Sequence, residues 1–71
     1  EMYKFMFTVI FDKCMYILNN KLTNYNIYKY FLNKMSFDYR KNNSNERIII
    51  DYIAGMTDNY FINEFNILKK I

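Results

Sequence analysis

The chain has no histidine. That absence removes the commonest general base, the commonest transition-metal ligand and the His-Asp pairs on which metallohydrolases rely. Proline is missing too, and Gly55 is the single glycine, so Gly-rich phosphate loops and most tight hairpins are excluded. The single cysteine, Cys14, cannot form a disulfide within the chain. A lone thiol fits a reducing, cytoplasmic setting better than a secreted one. Long apolar runs are also absent. The apolar stretch at 5–11 is bracketed by Lys4, Asp12 and Lys13, too short to span a bilayer and without the form of a signal peptide. The chain reads as soluble, with no membrane partner.

Its 71 residues make a single module, 1–71, of a size that seldom buries enough apolar surface to be more than marginally stable unaided. Asn, Ile, Lys and Tyr make up more than half of it, and Lys far outnumbers Arg. All four are favoured by AT-rich codons, so the abundance of tyrosine reads as compositional bias rather than as an aromatic binding platform. The net charge of +3 is spread along the chain. Nucleic-acid binders concentrate positive charge on one face or arm, so nucleic acid is not an expected partner.

The pattern predicts an all-α fold of three helices, at about 1–18, 24–36 and 45–68. In the first, Lys4, Thr8 and Asp12 recur every fourth position as one narrow polar stripe, and nearly everything else is apolar, so most of its sides should be covered. Phe5, Phe7, Val9, Phe11 and Met15 cannot share one side of a helix, so some should stay exposed in a monomer and mark an interface. Thr23 or Asn24 can cap the second helix, whose apolar stripe is Tyr28, Phe31, Leu32 and Met35. Residues 38–45, apolar only at Tyr39, read as the clear loop. Asn43 with Glu46 forms a variant capping box for the third helix, with Ser44 as the competing cap. Arg47 and Asp51 stand four apart and can pair, and Lys69 and Lys70 suit the negative end of the helix dipole. Cys14 and the methionines read as core packing.

The most informative stretch is Asp51-Tyr52-Ile53-Ala54-Gly55-Met56-Thr57-Asp58. Placed in mid-helix, Gly55 costs roughly 1 kcal/mol relative to Ala, which suggests close approach by another element. Asp51, Gly55 and Asp58 would fall near one line, a groove flanked by Tyr52, Ile53 and Met56. The two carboxylates, about 10.5 Å apart in rise, cannot easily share a metal. The simpler reading pairs Asp51 with Arg47 and leaves Asp58 to local bonds or solvent.

This octapeptide resembles the signature of HD-superfamily deoxynucleoside-triphosphate triphosphohydrolases, the dGTPase-like enzymes, where it lies in the phosphohydrolase-associated segment after the catalytic domain. Tyr60 fits its continuation, whereas Asn59 and Phe61 depart from the Arg and Ala common there. The opening Met2-Tyr3-Lys4-Phe5-Met6-Phe7 is loosely similar to the helix that begins that segment. The resemblance implies a fragment of a larger helical fold, belonging to an enzyme that splits dNTP into deoxynucleoside and triphosphate. It also implies a divalent metal in the parent HD domain, held by His and Asp residues with no counterpart here. No catalytic residue, metal ligand or cofactor is therefore expected of this chain. Asp51, Tyr52, Gly55 and Asp58 would form substrate-pocket wall or packing.

The expected role is thus an accessory C-terminal domain, completing the helical bundle and an oligomer interface. Its partner would be the catalytic HD domain of the same protein or a second copy. The alternative is a stand-alone three-helix protein-binding module. An HD motif upstream in the same reading frame would separate the two.

Overall fold

Met6, Ile10, Cys14 and Ile17 recur at three- and four-residue spacing, and in the computed structural model, which describes residues 2–71, they form the buried stripe of α1 (Met2–Asn19). The helix ends in a Schellman motif. Leu22 N–H donates to Ile17 C=O at 3.0 Å and Lys21 N–H to Leu18 C=O at 3.3 Å, with Lys21 in the left-handed region at φ 54°. Glycine is the usual occupant of that position; a lysine there bears a Cβ clash that the closing hydrogen bonds and the partly buried Leu22 must outweigh.

The second expected helix is shorter and wound differently. A π turn, Ile27–Phe31, runs directly into a 3-10 turn, Leu32–Lys34, and extended Met35 stops it. The wider π turn places Ile27 and Tyr28 in the core together with Leu32. Phe31 and Met35, expected on the same stripe, are only partly buried. Neither Thr23 nor Asn24 caps this run; Asn26 precedes its first residue.

The stretch expected to be a loop is largely helical. Ser36 accepts the Tyr39 N–H at 3.1 Å and opens α2 (Phe37–Asn42), with Asp38 in the first turn and Arg40 and Lys41 in the last. Those charges suit the helix dipole at both ends. None of its residues is buried, so it carried no apolar periodicity to read.

The expected helix 45–68 is two helices, α3 (Asn45–Ala54) and α4 (Asp58–Leu68). Gly55 ends the first, and Thr57 starts the second by accepting the Tyr60 N–H at 3.2 Å. Gly-Met-Thr-Asp is thus a stop followed by a cap and an acidic first turn, local signals strong enough to break the run. Ser44, not Asn43, caps α3, accepting from the Arg47 N–H at 3.1 Å; Asn43 donates instead to the Tyr39 carbonyl at 2.8 Å.

Counting the π and 3-10 turns as one run, five helical segments replace the three expected, with no strand among the described residues. One core joins them: Ile10, Ile17 and Leu18 of α1, Ile27 and Leu32, Ile48 and Ile49 of α3, and Leu68 of α4. Lys13 reaches the Ile71 carbonyl at 2.6 Å and fastens the last residues to α1. Only one face of α1 is covered. Met2 is 70% exposed, Phe5 60% and Tyr3 57%. No helix of the described residues is long and apolar enough to cross a membrane.

Candidate aromatic cleft and its buried carboxylate

Breaking the long helix at Gly55 lets α3 and α4 each pack against α1, and a cleft of about 220 Å³ opens at their junction. The octapeptide supplies one wall, with Tyr52, Gly55, Met56 and Thr57; Tyr30, Phe31 and Tyr60 supply the other. The Tyr52 ring stands edge-on to Tyr60, at 88° with centroids 6.1 Å apart, and lies 5.5 Å from Phe31.

Behind the rings lies Glu64, 2% exposed. A buried carboxylate must be hydrogen-bonded to be tolerated. Tyr52 donates its hydroxyl to Glu64 Oε2 at 2.7 Å, and Asn26 Nδ2 donates to Oε1 at 2.9 Å. Tyr52 has one hydroxyl proton and spends it on Glu64. The 2.9 Å contact between the Tyr52 and Tyr60 hydroxyls is therefore donated by Tyr60. Burial raises the Tyr52 hydroxyl far above the ordinary phenol range, and the bond it donates to Glu64 adds to the rise. Burial raises Tyr60 as well. Both phenols stay protonated donors. Cys14, buried and near Glu64, is pushed up to about 12 by burial first and by that carboxylate second. Such a thiol is not a nucleophile at neutral pH.

The four residues singled out in the sequence separate. Tyr52 and Gly55 line the cleft, while Asp51 and Asp58 are not among its walls. Asp51 pairs with Arg47 as expected, Nε to Oδ1 at 3.1 Å. It also accepts the Tyr39 hydroxyl at 2.6 Å, which ties α2 to α3. Asp58 is exposed in the first turn of α4. The proposed line through Asp51, Gly55 and Asp58 is lost with the helix break. Gly55 is not a packing glycine in this chain. It is exposed, and a Cβ there would meet only the Asp51 and Tyr52 carbonyl oxygens at 3.9 Å, ordinary contacts.

Sequence reasoning passed over Glu64, Asn26 and Tyr30. One signal pointed to Glu64: Tyr60, Glu64 and Leu68 recur at four-residue spacing, so the acid falls in the buried stripe of α4. Among the described residues no three His, Cys, Asp or Glu side chains group as metal ligands, and both Glu64 oxygens are already bonded. The cleft is built for packing or binding through ring faces and hydroxyls.

Comparison with known proteins places the sequence in a family. The phosphohydrolase-associated domain matches residues 23–67, from the turn after α1 almost to the end of α4. A deoxyguanosinetriphosphate triphosphohydrolase-like protein of Rickettsia bellii (strain RML369-C) is 54% identical over 38 residues. That stretch covers 54% of this chain but 10% of the relative, so what is shared is a small part of a much longer protein. No solved structure matches.

Proposed function

Because the chain belongs to the phosphohydrolase-associated domain family, we propose that it is an accessory C-terminal segment of a deoxynucleoside-triphosphate triphosphohydrolase. It closes the helical bundle of a catalytic HD domain and performs no chemistry itself. The observation that carries this reading is the uncovered aromatic edge of α1. Tyr3 meets Phe61 and Phe5 meets Phe65, each with ring centroids 6.1 Å apart, yet Met2, Tyr3 and Phe5 remain more than half exposed. Fully burying side chains of this kind gains about 1.5–3 kcal/mol each, and contiguous exposed patches usually mark interfaces. The catalytic domain is the proposed cover, and a second copy of the chain is the substitute in isolation.

Metal chemistry in this reading stays with the parent domain. The residues present here do not fit a divalent ion, since no three possible ligands group among the described residues and each oxygen of the buried carboxylate already accepts from a neutral donor. What the segment contributes is a rigid cleft wall and apolar cover.

The test is reconstitution in a cytoplasmic host. A catalytic HD domain of the same protein, expressed without this segment, should release little triphosphate from dGTP, and adding the 71-residue chain should restore the rate and give co-elution. Phe5→Asp should abolish both effects while leaving the chain folded. Full activity of the catalytic domain alone, unaltered by the chain, would sink the reading.

A further inference from the structure

A second, larger depression of about 540 Å³ opens between the end of α1 and the start of α3. Its floor is apolar, formed by buried Leu18, Leu32 and Ile48. Its rim holds Lys21 and Arg40, with Asn19, Thr23 and Asn45, and no acidic residue lines it. Among the described residues neither the Lys21 nor the Arg40 side chain pairs with an acid, unlike Arg47, whose charge is taken by Asp51. Asn45 Nδ2 donates to Asn19 Oδ1 at 3.0 Å, which leaves the Asn19 amide nitrogen as a further donor. The rim therefore offers an ammonium, a guanidinium, an amide N–H and a hydroxyl, with no carboxylate to compete. Donors and cations without acids have the chemistry of an oxyanion site, and guanidinium suits phosphate oxygens in particular.

We propose that this depression binds a small phosphate monoester, with Lys21 and Arg40 taking the phosphate and Leu18, Leu32 and Ile48 carrying the organic body. The inference is independent of the aromatic cleft and of the accessory role proposed above. Lys21 is well suited to testing it, because the chain turns there in the left-handed region at φ 54°. Lys21→Gly removes the cation at a position where glycine is the natural occupant, so the variant keeps the turn.

The experiment titrates the full chain with phenyl phosphate and with inorganic phosphate, read by amide chemical shifts, against sodium chloride at matched ionic strength. Phenyl phosphate is expected to give saturable shifts at Lys21, Thr23, Arg40 and Asn45, and to bind about tenfold more tightly than inorganic phosphate because its ring covers the apolar floor. Lys21→Gly and Arg40→Gln should each weaken binding roughly two- to fivefold, the scale of an exposed ion pair, and together about tenfold. Raising the salt should weaken it further. Shifts reproduced by sodium chloride, saturation mapping to Lys69 and Lys70, or variants that bind as well as the parent chain would overturn the site. Equal affinity for the two anions would overturn the assignment to an ester.

Discussion

Asp51 and Glu64 are each held by a tyrosine hydroxyl, at 2.6 and 2.7 Å, yet the two centres have little else in common. Asp51 is 28% exposed and has Arg47 to neutralise it. Its bond to Tyr39 joins a short polar helix to the surface of α3. Glu64 is 2% exposed and has only neutral donors, Tyr52 and Asn26, with Tyr60 bonded behind Tyr52. Near-equal bond lengths therefore conceal unequal stakes. At the surface, water replaces a lost donor. In the core, nothing does, and the cost is that of an unmet buried acceptor rather than of one hydrogen bond.

The most direct way to break this comparison is to remove one oxygen from each tyrosine. Tyr52→Phe should destabilise the chain by about 1–3 kcal/mol, because it strands Glu64 Oε2 and the Tyr60 hydroxyl together. Tyr39→Phe should cost about 0.5–1.5 kcal/mol, since Asp51 keeps Arg47 and water. Urea denaturation of the three proteins measures both. The contrast fails if the Tyr39 variant loses as much as the Tyr52 variant.

Alkaline titration sharpens the same comparison. Tyr39 is raised from an ordinary 10.0 to about 12, by burial first and then by its bond to Asp51; Tyr52 is raised further. A phenol whose folded pKa exceeds its unfolded value holds its proton longer in the folded state. Its contribution is complete below the unfolded value and is lost as pH climbs through the folded one. Stability should therefore be insensitive to these groups near neutrality and fall from about pH 10 upward, with Cys14, raised from 9.0 to about 12, adding to the slope from pH 9. Melting temperature against pH, with phenolate absorbance followed alongside, checks this. Tyr39→Phe should make the decline between about pH 10 and 12 shallower, leaving the share that Cys14 contributes, and an unchanged slope in that variant would show that the Tyr39 bond does not form.

Legibility in the sequence follows the same division between buried and exposed. The first helix was readable to within a residue at its C-terminal end because Lys4, Thr8 and Asp12 repeat every fourth position as its one polar stripe; its expected first residue, Glu1, lies outside the described residues. The exposure of Phe5 and Phe7 followed from counting apolar residues that one face cannot hold. Elements that bury little were missed: α2 has no apolar stripe, and only its Ser36 cap and end charges betray it. The break after Ala54 was passed over because Gly55 was weighed for its propensity cost in a helix interior, while Thr57 went unread as a cap. The site suffered most. The octapeptide fixed attention on its acids, but the cleft uses its Tyr, Gly, Met and Thr. Treating tyrosine as compositional bias hid Tyr30, and Glu64 is held by partners 12 and 38 residues away in sequence.

Gly55 gives the smallest expected effect in the isolated chain and the sharpest contrast with an assembled parent. Its φ of −88° and ψ of 0° suit any residue, and the space around it is open, with no atom nearer than 3.9 Å to an added Cβ. Gly55→Ala should therefore stabilise the isolated chain slightly, by about 0.4–1 kcal/mol, mainly by restricting the unfolded state. Gly55→Leu should be near neutral there. In a full-length phosphohydrolase where another element lies over the cleft, the same leucine would be forced into a filled space and cost about 1–3 kcal/mol. Melting both proteins with and without the substitution compares a bare cleft with a covered one. Equal, near-zero effects in both would mean that the mouth of the cleft stays open in the assembled protein, and that the octapeptide faces solvent or ligand rather than a neighbouring helix.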